Sequence, residues 1–127
     1  MLKKLTSNLM VEDVNTTIEF YKNVLDFDVV MTVPEQGQFD FAILQSGNVE
    51  IMLQSSKSLT NDIPALKGKT IGGTFTLYIE VEGVTELYER IKGKATIAQD
   101  MHNTFYGTKE FAVEDINGYI LAFAERS

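Results

Sequence analysis

The side chains able to act on a bound molecule are few and widely spaced. The chain has one histidine, His102, flanked by Asp100 and Asn103, and no cysteine. A lone imidazole without a thiol leaves no nucleophile and base pair for covalent catalysis, and reading Ala95 to Gln99 as a strand puts His102 in a solvated loop before the next one. Glu50 and Glu80 sit at alternate positions of strand-like segments, where a carboxylate either recognises a cationic ligand or stands exposed at a strand end. Met10 and Met52 add thioethers that suit ligands of variable shape.

Composition narrows the partners. With 127 residues, 44% of them hydrophobic, the chain can bury a core without disulfides or a structural metal. The absence of cysteine removes zinc fingers and thiol chemistry and fits a reducing compartment. No apolar run has the length of a signal peptide or a membrane helix, so a cytoplasmic protein with no membrane partner is expected. Eighteen acidic against eleven basic residues give a formal charge of −7, which opposes nucleic-acid binding and does not oppose a cationic small molecule.

The elements that must position these residues come as a repeat. Laying residue n on residue n+70, Thr6, Val11, Glu12, Val14, Glu19 and Lys22 meet Thr76, Val81, Glu82, Val84, Glu89 and Lys92. Gly37 then meets Gly107, Phe41-Ala42-Ile43 meets Phe111-Ala112-Val113, and the turn Gly47-Asn48 meets Asn117-Gly118. Each half opens with period-two alternation, which is a strand pattern. Leu5, Leu9 and Val11 oppose Thr6, Asn8 and Met10; Phe75, Leu77, Ile79 and Val81 oppose Thr76, Tyr78 and Glu80. The period then becomes helical, with Val14, Ile18, Tyr21 and Leu25 behind a capping Asp13, and Val84, Leu87, Tyr88 and Ile91 behind Gly83. Three β-rich pieces follow each helix, and Gly47-Asn48 and Asn117-Gly118 are hairpin turns because their positions ask for positive φ.

The fold expected is therefore α+β, two tandem βαβββ modules in a single domain. Module one spans 1–54, a linker 55–73 and module two 74–127, and the modules form a curved mixed sheet around an open groove. The apolar parity of each first strand faces its helix, making Leu5, Leu9 and Val11 core. The other parity lines the groove: Asn8, Met10, Met52, Tyr78, Ile120, Ala122 and Ala124, with Glu50, Gln54, Glu80, Thr6 and Thr76 as polar points. Phe39 and Phe41 share a face, but the hairpin register leaves open which one.

A tandem βαβββ containing VEDVNTTIEFYKNVLDFDVV near its start and YGTKEFAVEDINGYILAFAE near its end resembles the vicinal oxygen chelate superfamily. That superfamily includes glyoxalase I, extradiol dioxygenases, and fosfomycin and bleomycin resistance proteins. Asp115-Ile116-Asn117-Gly118 departs from the family's usual Asp-Pro-Asp-Gly at Ile116 and Asn117, and both residues still permit the turn. The resemblance implies that metal-dependent relatives hold a divalent ion through His and Glu-type ligands at positions that fall here on Thr6, Met52, Thr76 and Ala122. Two hydroxyls, a thioether and a methyl do not supply the imidazole and carboxylate donors such an ion needs. The expectation is a metal-free, cofactor-free binding protein of the bleomycin-resistance type, sequestering an antibiotic or another planar amphiphile. In that branch Tyr106, between Phe105 and Gly107, matches an aromatic at the mouth of the site, which implies a ring that either stacks on a planar ligand or packs under its own loop, and family analogy implies a homodimer. The alternative is a metal-dependent lyase or dioxygenase whose site has moved toward Glu50, Glu80 or His102.

Overall fold

The computed structural model describes residues 1–127, which divide into two compact units, Met1–Ile71 and Gly72–Ser127. The first unit runs β1 (Ser7–Val11), α1 (Val14–Leu25), β2 (Asp28–Val33), β3 (Phe41–Ser46), β4 (Val49–Ser55) and α2 (Ser56–Asp62), with a 3-10 turn at Pro64–Leu66. The second runs β5 (Thr76–Glu80), α3 (Val84–Ile91), β6 (Thr96–Asn103), β7 (Thr108–Glu114) and β8 (Ile120–Arg126). Each unit is a βαβββ module with a four-stranded sheet, ordered β1-β4-β3-β2 in the first and β5-β8-β7-β6 in the second. The outer pairs β1/β4 and β5/β8 are parallel and the remaining pairs antiparallel.

Helix α1 starts where Asp13, in extended conformation, accepts a hydrogen bond from the Thr16 N–H at 3.2 Å, satisfying a donor the first turn leaves free. Its apolar residues Val14, Ile18, Tyr21 and Leu25 are all buried. The sheet face that shares the core with them is built by register, which sets Leu9 beside Leu53, Leu53 beside Ala42, and Ile51 beside Leu44. All five of these sheet residues are under 4% exposed. Helix α3 is capped differently. Gly83 stands at its N-terminus with φ 75° and contributes no side chain; the Glu125 carboxylate of β8 accepts from the N–H groups of Gly83 and Val84, each at 3.0 Å. A Cβ at position 83 would approach the Glu86 carboxylate to 2.9 Å in a backbone conformation that already favours glycine.

Four expectations need correction. Leu5 is not core: it precedes β1 and is 87% exposed. Phe75 likewise precedes β5 and is 47% exposed, with its ring 5.9 Å from that of Tyr119. The segment read as a bare linker carries α2, capped by Ser55, whose hydroxyl accepts from the Ser58 N–H, and anchored by buried Leu59. His102 lies within β6 opposite Glu110, because that strand runs on to Asn103 and not only to Gln99.

The repeat itself needs one adjustment. Between first and last strands the 70-residue offset holds in register: Asn8 pairs with Met52 as Tyr78 pairs with Ala122. It fails in the third strand of each half. Phe41 lies opposite Gln54, whereas Glu110, and not Phe111, lies opposite Ala124. The hairpin joining β7 to β8 is longer, closing from Glu114 to Ile120 where the first half closes from Ser46 to Val49. A one-residue slip moves a side chain to the other face of a strand, so Phe41 lies on the face opposite α1 while Phe111 is buried against Tyr88 of α3.

Candidate ligand-binding faces

In the second unit the face opposite α3 is organised around Glu110. Tyr78 on β5 is level with Ala122 on β8, and Glu110 on β7 is level with Ala124. Two alanines on the intervening strand leave the space that lets the Tyr78 phenol cross it. The phenol donates to Glu110 at 2.6 Å, Thr108 donates to the same carboxylate at 2.7 Å, and Tyr106 donates to its other oxygen at 3.2 Å. Thr108 is held in turn by the Thr104 hydroxyl at 2.7 Å. Glu110 is 7% exposed. Burial pushes its carboxyl upward, but the hydrogen bonds from Tyr78, Thr108 and Tyr106 outweigh this and hold it below the usual glutamate value, with His102 adding a little. The phenols respond in the opposite sense. Tyr78 is raised first by its bond to Glu110 and then by desolvation, and Tyr106 first by desolvation and then by the same carboxylate.

Above this network lies a cavity of about 190 Å³ lined by Tyr78, Glu80, Val81, Tyr106, Thr108, Ala124, Glu125 and Arg126. The sequence-predicted residues Tyr78, Glu80 and Tyr106 thus meet around one space, and Ala122 flanks it at the level of Tyr78. Thr76 and Ile120 pair one step further along the same face. Tyr106 is half exposed, with its hydroxyl on Glu110 and the exposed Phe105 ring edge-on at 5.0 Å. Glu110 is the site residue that the sequence pattern alone does not single out. The signal that finds it is the turn at Asn117-Gly118: counting outward from the closing pair Glu114 and Ile120 sets Glu110 beside Ala124.

In the first unit the face opposite α1 carries Asn8, Met10, Glu50, Met52 and Gln54, together with Met31, Val33, Phe41 and Ile43 of β2 and β3. Phe41 therefore belongs to this face. Phe39 lies outside the strand, and its N–H donates to Asn15 of α1 at 2.8 Å. One end of the face is covered. Gln54 accepts from Asn8 at 2.9 Å and donates to Ser58 and Asp62 of α2, also at 2.9 Å, leaving Gln54 6% and its neighbour Met10 8% exposed. Met10 and Gln54 thus sit on the predicted face beneath α2. At the other end Lys4 donates to Glu50 at 2.8 Å and the Thr6 hydroxyl reaches the same oxygen at 3.4 Å. The hydrogen bond from Lys4, with its charge, draws the Glu50 carboxyl downward.

A divalent ion does not fit these residues. Met52 and Ala122 put a thioether and a methyl where donors are needed, and Thr6 and Thr76 put hydroxyls. No group of three His, Asp or Glu side chains converges anywhere in the chain. Glu50, the candidate for a displaced site, is engaged by Lys4 and Thr6.

The model of the Glyoxalase/Bleomycin resistance protein/Dioxygenase superfamily matches residues 5–123. The chain belongs to this superfamily. Among superfamily relatives, a bleomycin resistance protein from Geobacillus stearothermophilus is 32% identical over 127 residues, covering 93% of this chain and 92% of that protein. A bleomycin resistance protein from Staphylococcus aureus strain N315 matches to the same extent. Among solved structures, a protein of unknown function from Agrobacterium tumefaciens str. C58 superposes with TM-score 0.83 at 17% identity, covering 100% of this chain and 96% of that one. TioX from Micromonospora sp. ML1 superposes with TM-score 0.79 at 17% identity, covering 99% of this chain and 100% of the other. Both structures share the fold of this chain.

Proposed function

We propose that the protein is a metal-free small-molecule binding protein of the bleomycin-resistance type, which retains a planar or amphiphilic compound without breaking a bond. The observation that carries this reading is the replacement of all four metal-ligand positions by Thr6, Met52, Thr76 and Ala122 in a chain of this superfamily. The likeness to bleomycin resistance proteins points to the same branch. The faces opposite α1 and α3 supply apolar walls through Met31, Met52, Phe41 and Ile43 in one half and the Tyr78 and Tyr106 rings in the other. The open groove, the action of the two modules as one domain, a cytoplasmic location and a homodimeric state belong to this proposal. No helix is long and apolar enough to cross a membrane.

Bleomycin is the first probe, because the relatives carry its name. Calorimetric titration in the presence of a chelator is expected to give saturable binding with the drug recovered unchanged. Metal-dependent conversion of a substrate, together with no heat from bleomycin or other planar amphiphiles, would sink the proposal and restore the enzyme reading.

A further inference from the structure

The cavity on the second-unit face has a fixed hydrogen-bond polarity. A hydroxyl has one hydrogen to give and lone pairs with which to accept. Tyr78, Tyr106 and Thr108 all line the cavity, and all three give that hydrogen inward to Glu110. What the two phenols turn toward a ligand is oxygen lone pairs alone. Glu125, on the same wall, has its two oxygens on the N–H groups of Gly83 and Val84, and Glu80 adds an exposed carboxylate. The one cation on the wall is Arg126, an exposed side chain outnumbered by those two carboxylates, with Glu110 beyond the phenols as a third. Glu110 itself is in no ion pair; its charge is held chiefly by hydroxyl dipoles, with His102 opposite it on β6 adding a little. A buried carboxylate stabilised in this way keeps its charge and still attracts a cation in the cavity, and weakly screened surroundings extend that attraction.

We propose that this cavity takes the cationic, hydrogen-bond-donating group of a ligand, an ammonium or amidinium, and that Glu110 sets the preference by holding the hydroxyl hydrogens of Tyr78, Tyr106 and Thr108 away from it. The inference rests on the binding reading above and adds to it the class of ligand group and the residue that selects it. A ligand presenting a carboxylate or a carbonyl there meets lone pairs and negative charge; one presenting N–H groups meets acceptors.

Three matched probes test it: phenethylammonium, 2-phenylethanol and 3-phenylpropanoate, titrated at neutral pH into the whole chain and followed by the amide resonances of Tyr78, Tyr106 and Thr108, beside a parallel titration with bleomycin. The ammonium is expected to bind about tenfold more tightly than the alcohol, the difference a charge-assisted hydrogen bond makes, and the carboxylate most weakly. Glu110→Gln should abolish the preference. Tyr106→Phe, at a half-exposed position whose loss leaves the core untouched, should weaken the ammonium severalfold by removing one acceptor oxygen. Alcohol or carboxylate binding as tightly as the ammonium, or a preference that survives Glu110→Gln, overturns the assignment while bleomycin binding keeps the broader reading intact. Silence from every probe, bleomycin included, overturns both.

Discussion

Glu110 shows how one residue decides what its neighbours offer. Tyr78 and Tyr106 are visible in the sequence as groove aromatics, but their polarity is not, because it depends on a carboxylate thirty-two and four residues away. Their raised phenol values follow from that carboxylate and from desolvation. A raised phenol adds stability that is complete below the ordinary value of 10.0 and is lost as pH climbs through the folded one. A lowered carboxyl adds stability that is complete above 4.5 and is lost as pH falls through its folded value. Glu110→Gln should therefore bring both phenols to titrate at lower pH, read by ultraviolet difference absorbance. It should also flatten the fall of the urea midpoint below pH 4.5, since the variant has no charge to neutralise there. Unmoved phenol titrations would show that the hydroxyls are not polarised by Glu110.

The two helices, alike in sequence position, begin by different means. Asp13 caps α1 with its own side chain, and Gly83, the equivalent residue 70 positions on, leaves the task to Glu125. Asp13→Ala should lower unfolding free energy by about 1 kcal/mol, the usual loss for an N-cap, while Gly83→Ala should lower stability through backbone strain and the crowded Glu86 rather than through a missing cap. Denaturant melts of the two variants check this, and a Glu125→Gln variant should lose the acid-side part of its stability that wild type gains from a carboxyl held down by two backbone donors. The βαβββ order of each half and the parity of β1, β4, β5 and β8 were legible in the sequence, because alternation and the 70-residue offset are local or additive signals. Leu5 and Phe75 were not, since period two continues past the point where a strand stops pairing. Nor was the face of Phe41 against Phe111, which turns on the length of a hairpin, or α2, whose polar SKSLTND run carries little apolar periodicity.

For the whole chain the balance is acidic, with formal charge −7 and a cavity wall richer in carboxylates than in cations. Binding that uses no metal should survive thorough chelation. Treatment with a chelator followed by gel filtration is expected to leave both the melting temperature and bleomycin affinity unchanged, whereas a structural or catalytic ion would show as a drop in either. The cap of α3 also carries a meaning for how the molecule is made. The first helix finds its cap in the residue beside it, so capping its opening turn needs no distant part of the chain. The second waits for a carboxylate 42 residues downstream of Gly83. A chain lacking the β8 segment would have neither the acceptor for the first amide groups of α3 nor the strand that lies between Tyr78 and Glu110. The cavity and the cap of the helix behind it therefore depend on the same stretch of chain.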